Sequence, residues 1–570
     1  MADVLPVLIA GAGGSGLVAA LILAQSGIKI RIIDKAEKPH CGSRGFGIQP
    51  RTCELFQTLG VQDDVEKRAT AIPTMRAYKL PGGTIPVKTW TLYPETGTWP
   101  DRPFGNGICV SQEELEDVMR QHLKQYGVVV EYGKGLVSIE QDADSVVSTI
   151  ATFANGKETS EQEKIRSQYL LGTDGAKGVS RKLLGLTFQG ETRDTDGMVW
   201  GDVEIDGLTP DYWHVWGNPE VFTIMARPIT PGGKKFGIGI IGKNFDPTDL
   251  ADEAKAKEFI TNQTGRTDLK FSKFSWLSYF KPNMRMVNKF QEGRAFVVGD
   301  AAHVHSPTGA QGINCSIQDA TNITWKLALV LKDLASPSIL STYNDERLPI
   351  IAQMLRATSQ LYTHLVATPE EKPIEGPSKD DDRKSGWLRW RNSPLQLYGV
   401  NYRFSDIVLE KRDPAHVSAD KEETVARAYA GYEASGSLLA GDRAPEAPGL
   451  ITATGEETCL FKNYLKPVHH TVMVFASDAE GVGSVLEQEG KWLESVVKIL
   501  VITKKKLGEG EMNSGRAIFL VDSKSHAADA YHVEKEALNI VVVRPDGYVG
   551  AVVKDAEGAN CYFRKIFRVI

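Results

Sequence analysis

The feature that most constrains this chain is Gly11-Ala12-Gly13-Gly14-Ser15-Gly16, set between the apolar run Val7-Leu8-Ile9-Ala10 and a helix-forming run from Leu17 to Gln25. Gly27 closes that helix. The alternating stretch Ile28-Lys29-Ile30-Arg31-Ile32-Ile33 then reads as a second strand ending at Asp34, with Lys35 next. Strand, glycine turn, helix and strand make one βαβ unit. In G-x-G-x-x-G the first glycine makes a tight turn, the second lets backbone approach a pyrophosphate, and the third lets helix and strand pack closely. The helix N-terminus then offers N–H groups and a positive dipole end to phosphate. Gly11, Gly13, Ser15 and Gly16 are the candidate phosphate-binding residues. Asp34, followed by Lys35, is the candidate ribose acceptor. A bare glycine motif also occurs in loops that hold nothing, but here both strands, the helix and the terminal acid agree, which favours a dinucleotide.

The chain supplies a control in Gly237-Ile238-Gly239-Ile240-Ile241-Gly242, which satisfies the same pattern. It lies inside a strand-like run and has neither a following helix nor a second strand with a terminal acid. We read it as a strand that packs closely or twists.

At 570 residues and 42% hydrophobic, the chain has enough apolar material for several cores, which excludes a disordered or fibrous protein. Its net charge of −6 offers no basic footprint for nucleic acid or an anionic membrane, so the expected partner is a small molecule or a protein. The six cysteines form no Cys-x-x-Cys pair and no metal-ligand spacing, and they read as free thiols with no metal site. Val4 to Leu23 is apolar but lacks a basic flank and is broken by glycines, so neither a signal peptide nor a membrane span is expected. The expected location is cytoplasmic.

Further along, Gln112 to Tyr126 has helical spacing with Ser111 as a candidate cap, and Val128-Val129-Val130 reads as the next strand. Tyr169 to Gly172 leads into Asp174-Gly175. From about 185 to 285 the chain turns strand-rich, and Ala295 to Asp300 with a helix from about Asn314 to Leu334 restores the α/β character. The polar stretch Pro369 to Lys384, with Asp380-Asp381-Asp382, reads as a solvated loop. Beyond Gly441 strands and helices alternate again.

The glycine motif, Asp174-Gly175 and Gly293-Arg294-Ala295-Phe296-Val297-Val298-Gly299-Asp300-Ala301-Ala302-His303 together resemble the single-component FAD-dependent aromatic hydroxylases, the group A flavoprotein monooxygenases. Pro307 to Asn314, Asp319-Ala320, Trp325-Lys326-Leu327-Ala328 and Tyr343-Asn344-Asp345-Glu346-Arg347 follow in the family's order. The resemblance is nearest to the phenol hydroxylase branch, which carries a thioredoxin-like C-terminal domain. It implies an α/β fold: a Rossmann-like FAD-binding domain at 1–184 and 286–370, an inserted β-rich substrate domain at 185–285, a helical or linker region at 371–440, and a thioredoxin-like α/β domain at 441–570.

The resemblance also implies a reaction. NAD(P)H, as NADPH or NADH, binds transiently and reduces FAD; O2 then gives a C4a-hydroperoxide that hydroxylates a phenolic ring. Asp300 ends a buried strand where it can accept from ribityl hydroxyls, and the helix start Gly312-Ile313-Asn314 can face the flavin N1/O2 edge. Arg44 and Gln112 match flavin-contacting positions, against an ion pair for Arg44 and a helix-start role for Gln112. Asp174 matches the motif for FAD and nicotinamide, or caps a strand end. Phe46 stands where the family has an aspartate, which removes that phenol-activating acid. Tyr279 stands beside Phe280, where the family has a substrate-contacting tyrosine. His214 is the candidate base, or else a histidine on a strand. Side chains of the strand Val221 to Arg227 are further candidates, and Arg285 lies near the site or pairs with an acid. Phe46, Trp213, Phe222, Met225 and Pro307 form the expected substrate pocket. The family also implies a homodimer.

Two other classes compete. A flavin-dependent halogenase would carry Trp-x-Trp-x-Ile-Pro, whereas Trp387-Leu388-Arg389-Trp390 has the wrong spacing. A non-catalytic binding protein with an empty FAD shell need not keep Asp34, Asp300 and Gly312-Ile313-Asn314 together. Cys459 and Cys561 stand alone, so the C-terminal domain is expected to be structural.

Overall fold

Leu5-Pro6-Val7-Leu8-Ile9-Ala10 has no polar face to turn to water, and such a run is stable only as a strand covered on both sides. In the computed structural model it forms β1 (Leu5–Ala10), followed by α1 (Gly14–Gln25) and β2 (Ile30–Asp34). The structure describes residues 4–43, 45–92, 99–192, 197–218, 221–242, 245–306, 309–366, 396–414, 420–430, 436–476, 479–489, 491–505, 515–533 and 538–569. Arg44, Pro307, Asp380–Asp382 and the Trp387–Trp390 segment lie outside the described residues.

β1 pairs in parallel with β2 (Val7↔Ile30) and with the strand Lys157–Gly172 (Val7↔Tyr169). Lys157–Gly172 pairs on its other side with Ala295–Val297, in an eight-stranded sheet. The chain therefore leaves this sheet after Gly172 and comes back to it at Ala295. Residues Gly16 to Ala24 of α1 are all buried, because the helices Gln112–Lys124 and Gly312–Leu331 both pack on it. That is why this helix is apolar all round.

Helix Gln112–Lys124 starts where Ser111 Oγ accepts from Glu114 N at 3.2 Å. The run Val128 to Val130 is not a strand. Gly127 turns the chain with φ +71° and Val129 is 66% exposed. Pairing with the end of β2 begins only at Glu131–Tyr132.

The strand-rich stretch builds a seven-stranded sheet in the order Lys270–Phe280, Met198–Asp206, Lys235–Gly242, Phe222–Pro228, Tyr212–Asn218, Thr74–Tyr78, Pro86–Trp90. The last two strands come from ahead of residue 185, and Thr74–Tyr78 joins in parallel (Tyr212↔Thr74). One face packs Val199, Trp216, Ile224 and Ile238 on the helix Glu253–Thr264. The other face holds Met75, Trp213 and Met225, with Phe46 packed against them. The second G-x-G-x-x-G lies within the strand Lys235–Gly242, where a side chain at Gly239 would enter the Trp200 ring.

Among the described residues of 371–440 there is one helix, Lys421–Ala426. Leu409–Glu410 pairs with Val549–Val553 and stitches this segment to the C-terminal sheet. That sheet has eight strands. His470–Ala476, Val497–Thr503 and Ile518–Val521 run parallel, and Asn539–Val543 and Val549–Val553 follow antiparallel. All six cysteines are unpaired, and the described residues hold no cluster that could bind a metal.

Candidate active site

The glycine loop divides its glycines by what each one faces. Gly11 has φ +114°, and a side chain there would run into the Thr173 carbonyl; one at Gly16 would meet the Gly11 carbonyl. Gly13 faces open space, with Glu116 Oε1 as its one neighbour at 3.9 Å. The start of α1 has no side-chain cap, so its first N–H groups remain available to a phosphate at the open glycine. Gln112 donates to that same Glu116 Oε1 at 2.7 Å, which brings it to the rim of the loop.

Asp34 is aimed by two backbone bonds, accepting from Ala12 N at 2.7 Å and from Ala36 N at 2.8 Å. A carboxylate has about four lone-pair sites, which leaves capacity for ribose hydroxyls. Lys35 engages the Phe153 ring instead, its ammonium 4.5 Å from the centroid. Asp174 accepts from Val179 N and Ser180 N at 2.7 and 2.9 Å and so caps the short helix Ser180–Leu183.

The second chain passage meets the loop. A side chain at Gly299 would lie against both Ser15 Oγ and Ser316 Oγ, so the turn Gly299–Ala301, which carries exposed Asp300, is wedged between α1 and the helix Gly312–Leu331. Buried Asp319 fixes this turn: it accepts from Gly299 N at 3.3 Å, from Arg347 Nε at 2.6 Å and meets His303 Nε2 at 2.7 Å. Burial pushes the Asp319 carboxyl up, but Arg347 and His303 together hold it below the ordinary value. Ile313 touches the Gly14 position, and the helix start again has no side-chain cap. Asn314 has a structural task of its own. Its side chain is wholly committed, donating to the Gly47 and Ala310 carbonyls and accepting from Gln49 N, at 2.8, 2.6 and 2.8 Å. It clamps Gly47, Gln49 and Ala310, which line the chamber.

That chamber is a small apolar cavity lined by Phe46, Gly47, Gln49, Leu92, Cys109, Trp213 and others, with Ala310 at the end nearest the Gly312 helix. Phe46 meets Trp213 edge to face at 6.1 Å, and Met225 belongs to the same apolar cluster. Phe46 is held by Val110 N, which donates to its carbonyl at 2.9 Å.

His214, Tyr279 and Phe222 are not in this chamber. Neighbouring residues of a strand point to opposite faces, so Trp213 on the chamber side sends His214 to the other side. There His214 packs against Tyr78 and Trp216. Its Nε2 donates to the Thr209 carbonyl at 2.8 Å, and its Nδ1 accepts from Tyr78 Oη at 2.7 Å. Burial pulls its pKa down to about 4, and neither ring nitrogen is left for a substrate. Tyr279 pairs opposite Val199 and packs by Gly197, on the helix side of the sheet. Phe222 meets Phe259 of the helix Glu253–Thr264. Arg285 sits elsewhere, donating to Asn283, the Phe188 carbonyl and Thr192.

The same parity brings in Arg227, named above only as part of its strand. It lies two residues from Met225, and its guanidinium sits over the Phe46 ring. Cys109, unmarked in the sequence, pairs with Gly47 and lines the cavity. Burial pushes its thiol pKa up.

A dinucleotide loop, a second chain passage that meets it, and an aromatic chamber at their junction define a cofactor-dependent oxidoreductase. Residues 4–358 match the family model described as FAD binding domain, and the chain belongs to that family. It is 29% identical over 567 residues to a flavin-dependent monooxygenase of Mycobacteroides abscessus, covering 98% of this chain and 99% of that one. It is 32% identical over 369 residues to 6-methylpretetramide 4-monooxygenase of Streptomyces rimosus, covering 64% and 63%. Among solved structures, the flavin-dependent monooxygenase PieE with FAD and substrate aligns at TM-score 0.79 and 22% identity, covering 99% and 100%. Aklavinone-11 hydroxylase with FAD and aklavinone aligns at 0.74 and 22%, covering 99% of each chain. The chain is an FAD-dependent monooxygenase of the aromatic hydroxylase kind. The open approach at Gly13, the aimed Asp34 and two uncapped helix starts fit that cofactor. Among the described residues no helix is long and apolar enough to cross a membrane.

Proposed function

We propose that the chain hydroxylates a phenolic or related aromatic compound larger than phenol, using O2 and NAD(P)H. The observation that carries this is the apolar chamber walled by Phe46, Leu92 and Trp213, which opens beside Gly47 and Ala310 at the start of the Gly312 helix. When bound, FAD supplies the oxygen-activating redox chemistry. The chain's own residues do the rest. Gly11, Gly13, Ser15, Gly16 and Asp34 bind the dinucleotide, Gln112 and Asp300 border it, and the Gly312-Ile313 N–H groups hold negative charge at its far end. Phe46, Leu92 and Trp213 orient a ring and keep water from it. Phe46 in place of the family's acid disfavours simple phenol. A relative named for 6-methylpretetramide and a solved structure holding aklavinone support a larger aromatic substrate.

The strand order Val497–Thr503, His470–Ala476, Asn539–Val543, Val549–Val553 supports a thioredoxin-like C-terminal module of the phenol hydroxylase branch. With Cys459 and Cys561 unpaired, its role is packing. The family analogy supports a homodimer, which sedimentation would test. The test of function is NAD(P)H oxidation by the yellow holoenzyme across a panel of phenols, naphthols and larger hydroxyarenes, coupled to product mass. Substrate-stimulated oxidation with a gain of one oxygen is expected. No stimulation by any compound of the panel would overturn the reading.

A further inference from the structure

Arg227 is 2% exposed on the strand Phe222–Pro228, packed against three residues of the chamber wall. Its guanidinium sits over Phe46, lies 5.5 Å from the Trp213 ring and interacts with Cys109. All three of those residues line the cavity. A guanidinium has five N–H donors and stays charged under ordinary conditions, yet Nε and Nη1 of Arg227 are buried without a hydrogen-bond partner. The acid that acts on it is Asp202 of the strand Met198–Asp206, buried beside Gly237 and with its own Oδ2 unpartnered. The two form no ion pair. Buried arginines are ordinarily paired, because an unmatched buried charge is costly.

We propose that Arg227 binds the ionised oxygen of the substrate, so that the chamber takes its aromatic ring as a phenolate. This deepens the hydroxylase reading and rests on it. An aromatic oxyanion would supply the missing counter-charge and accept a charge-assisted hydrogen bond from one of the idle donors. The opposite charge favours the ionised form of the phenol. Its O–H bond breaks, the proton goes to solvent, and the electron pair stays on the oxygen, which raises electron density on the ring to be hydroxylated.

This answers a question left by the misplaced histidine. Among the cavity residues there is no carboxylate and no imidazole to take the phenolic proton. The titratable groups around Arg227 are Cys109, whose thiol is held neutral by burial, and Asp202, whose carboxyl is pushed up by burial, with Lys235 acting on Asp202 from the adjacent strand. Neither acid is disposed to neutralise the cation. Burial in turn pulls the Arg227 pKa down to about 9, as for a cation short of a partner.

The test uses FAD-loaded enzyme with 4-nitrophenol, whose ionised form is yellow, and 4-nitroanisole, its methyl ether that cannot ionise. Binding is read as difference absorbance across pH, with no turnover. Wild type is expected to hold 4-nitrophenol in its ionised form at least about one pH unit below free solution, and to bind it at least about tenfold more tightly than the ether. Arg227→Gln should return the ionisation to that of the free probe and abolish the preference, while Arg227→Lys should keep part of both. Bound flavin and melting temperature control for folding. Should the glutamine variant fail to fold, the wild-type preference and the lysine variant still decide. Equal binding of the two probes by wild type, or an unshifted ionisation, would overturn the proposal. Phenolate capture without stimulated NAD(P)H oxidation would leave Arg227 assigned and sink the hydroxylase reading instead.

Discussion

Arg544 and Glu346 meet as a fully buried two-bond pair, with Nη1 to Oε1 at 2.7 Å and Nη2 to Oε2 at 2.9 Å. Arg544 belongs to the turn between the last two strands of the C-terminal sheet, and Glu346 to the helix Ser341–Val366. Glu346 also accepts from Lys326 Nζ at 2.7 Å on the helix Gly312–Leu331. Asp546 of the same turn takes Trp325 Nε1 at 3.1 Å. The C-terminal sheet is thereby locked onto the helix whose start borders the chamber.

Removing one partner of a buried pair strands the other charge, at a cost of about 3–5 kcal/mol. Arg544→Met is therefore expected to lower the melting temperature and loosen FAD, and Arg544→Met with Glu346→Leu should recover part of the loss. Thermal unfolding followed by flavin fluorescence checks this. A single variant within about 1 kcal/mol of wild type would mean that the lock is dispensable.

The glycine loop separates cofactor binding from folding. Gly13→Ala adds a methyl to open space, so the chain should fold as before, within about 0.5 kcal/mol, and bind FAD at least about tenfold more weakly, about 1.4 kcal/mol. Gly16→Ala drives a methyl into the Gly11 carbonyl and should cost about 1–3 kcal/mol of stability by overpacking. Denaturant titration and FAD dialysis, run on both variants, would contradict this assignment if the two losses changed places.

Asn314 ties together three backbone groups from two segments, Gly47 and Gln49 from one and Ala310 from the other. Each buried group left unpaired costs about 1–3 kcal/mol. Asn314→Ala should therefore lower stability by about 3 kcal/mol, and Asn314→Asp should be no better, since it turns a donor into a charge facing the Gly47 and Ala310 carbonyls. A denaturation midpoint for Asn314→Asp equal to wild type would rule this clamp out.

The βαβ unit, the Gly299-Asp300 turn and the helix after it were legible because each is local: period, punctuation and terminal acid lie within a few residues. What lay hidden is non-local or depends on parity. That Thr74–Tyr78 would pair with Tyr212–Asn218 has no local signal. Trp213 and His214 both carry the right chemistry in the sequence, although adjacent residues on one strand cannot share a chamber. Counting by twos from Met225 leads to Arg227 and excludes Phe222 on the other side. Asn314 was legible as part of a motif, but its commitment to Gly47, Gln49 and Ala310 became visible only once those segments were adjacent.

His214 gives a pH prediction with a definite sign. Burial pulls its folded pKa to about 4, against an ordinary 6.5. Between those values the unfolded chain takes up the proton and the folded chain does not, so stability rises with pH across the window. It is fully present above about pH 6.5 and is lost as pH falls toward 4, by about 3 kcal/mol at about 1.4 per unit. Half-buried His469 and His305, each lowered to about 4, and fully buried His470, lowered to about 3, add to the same slope. His214→Gln removes one titrating group, so its stability should fall less steeply between pH 6.5 and 4, whatever its stability at pH 7. The variant's pH dependence of turnover should match wild type, because His214 faces away from the chamber and both its nitrogens are bonded. A turnover profile that moved with this substitution would restore His214 as the base and put the assignment of the two sheet faces in error.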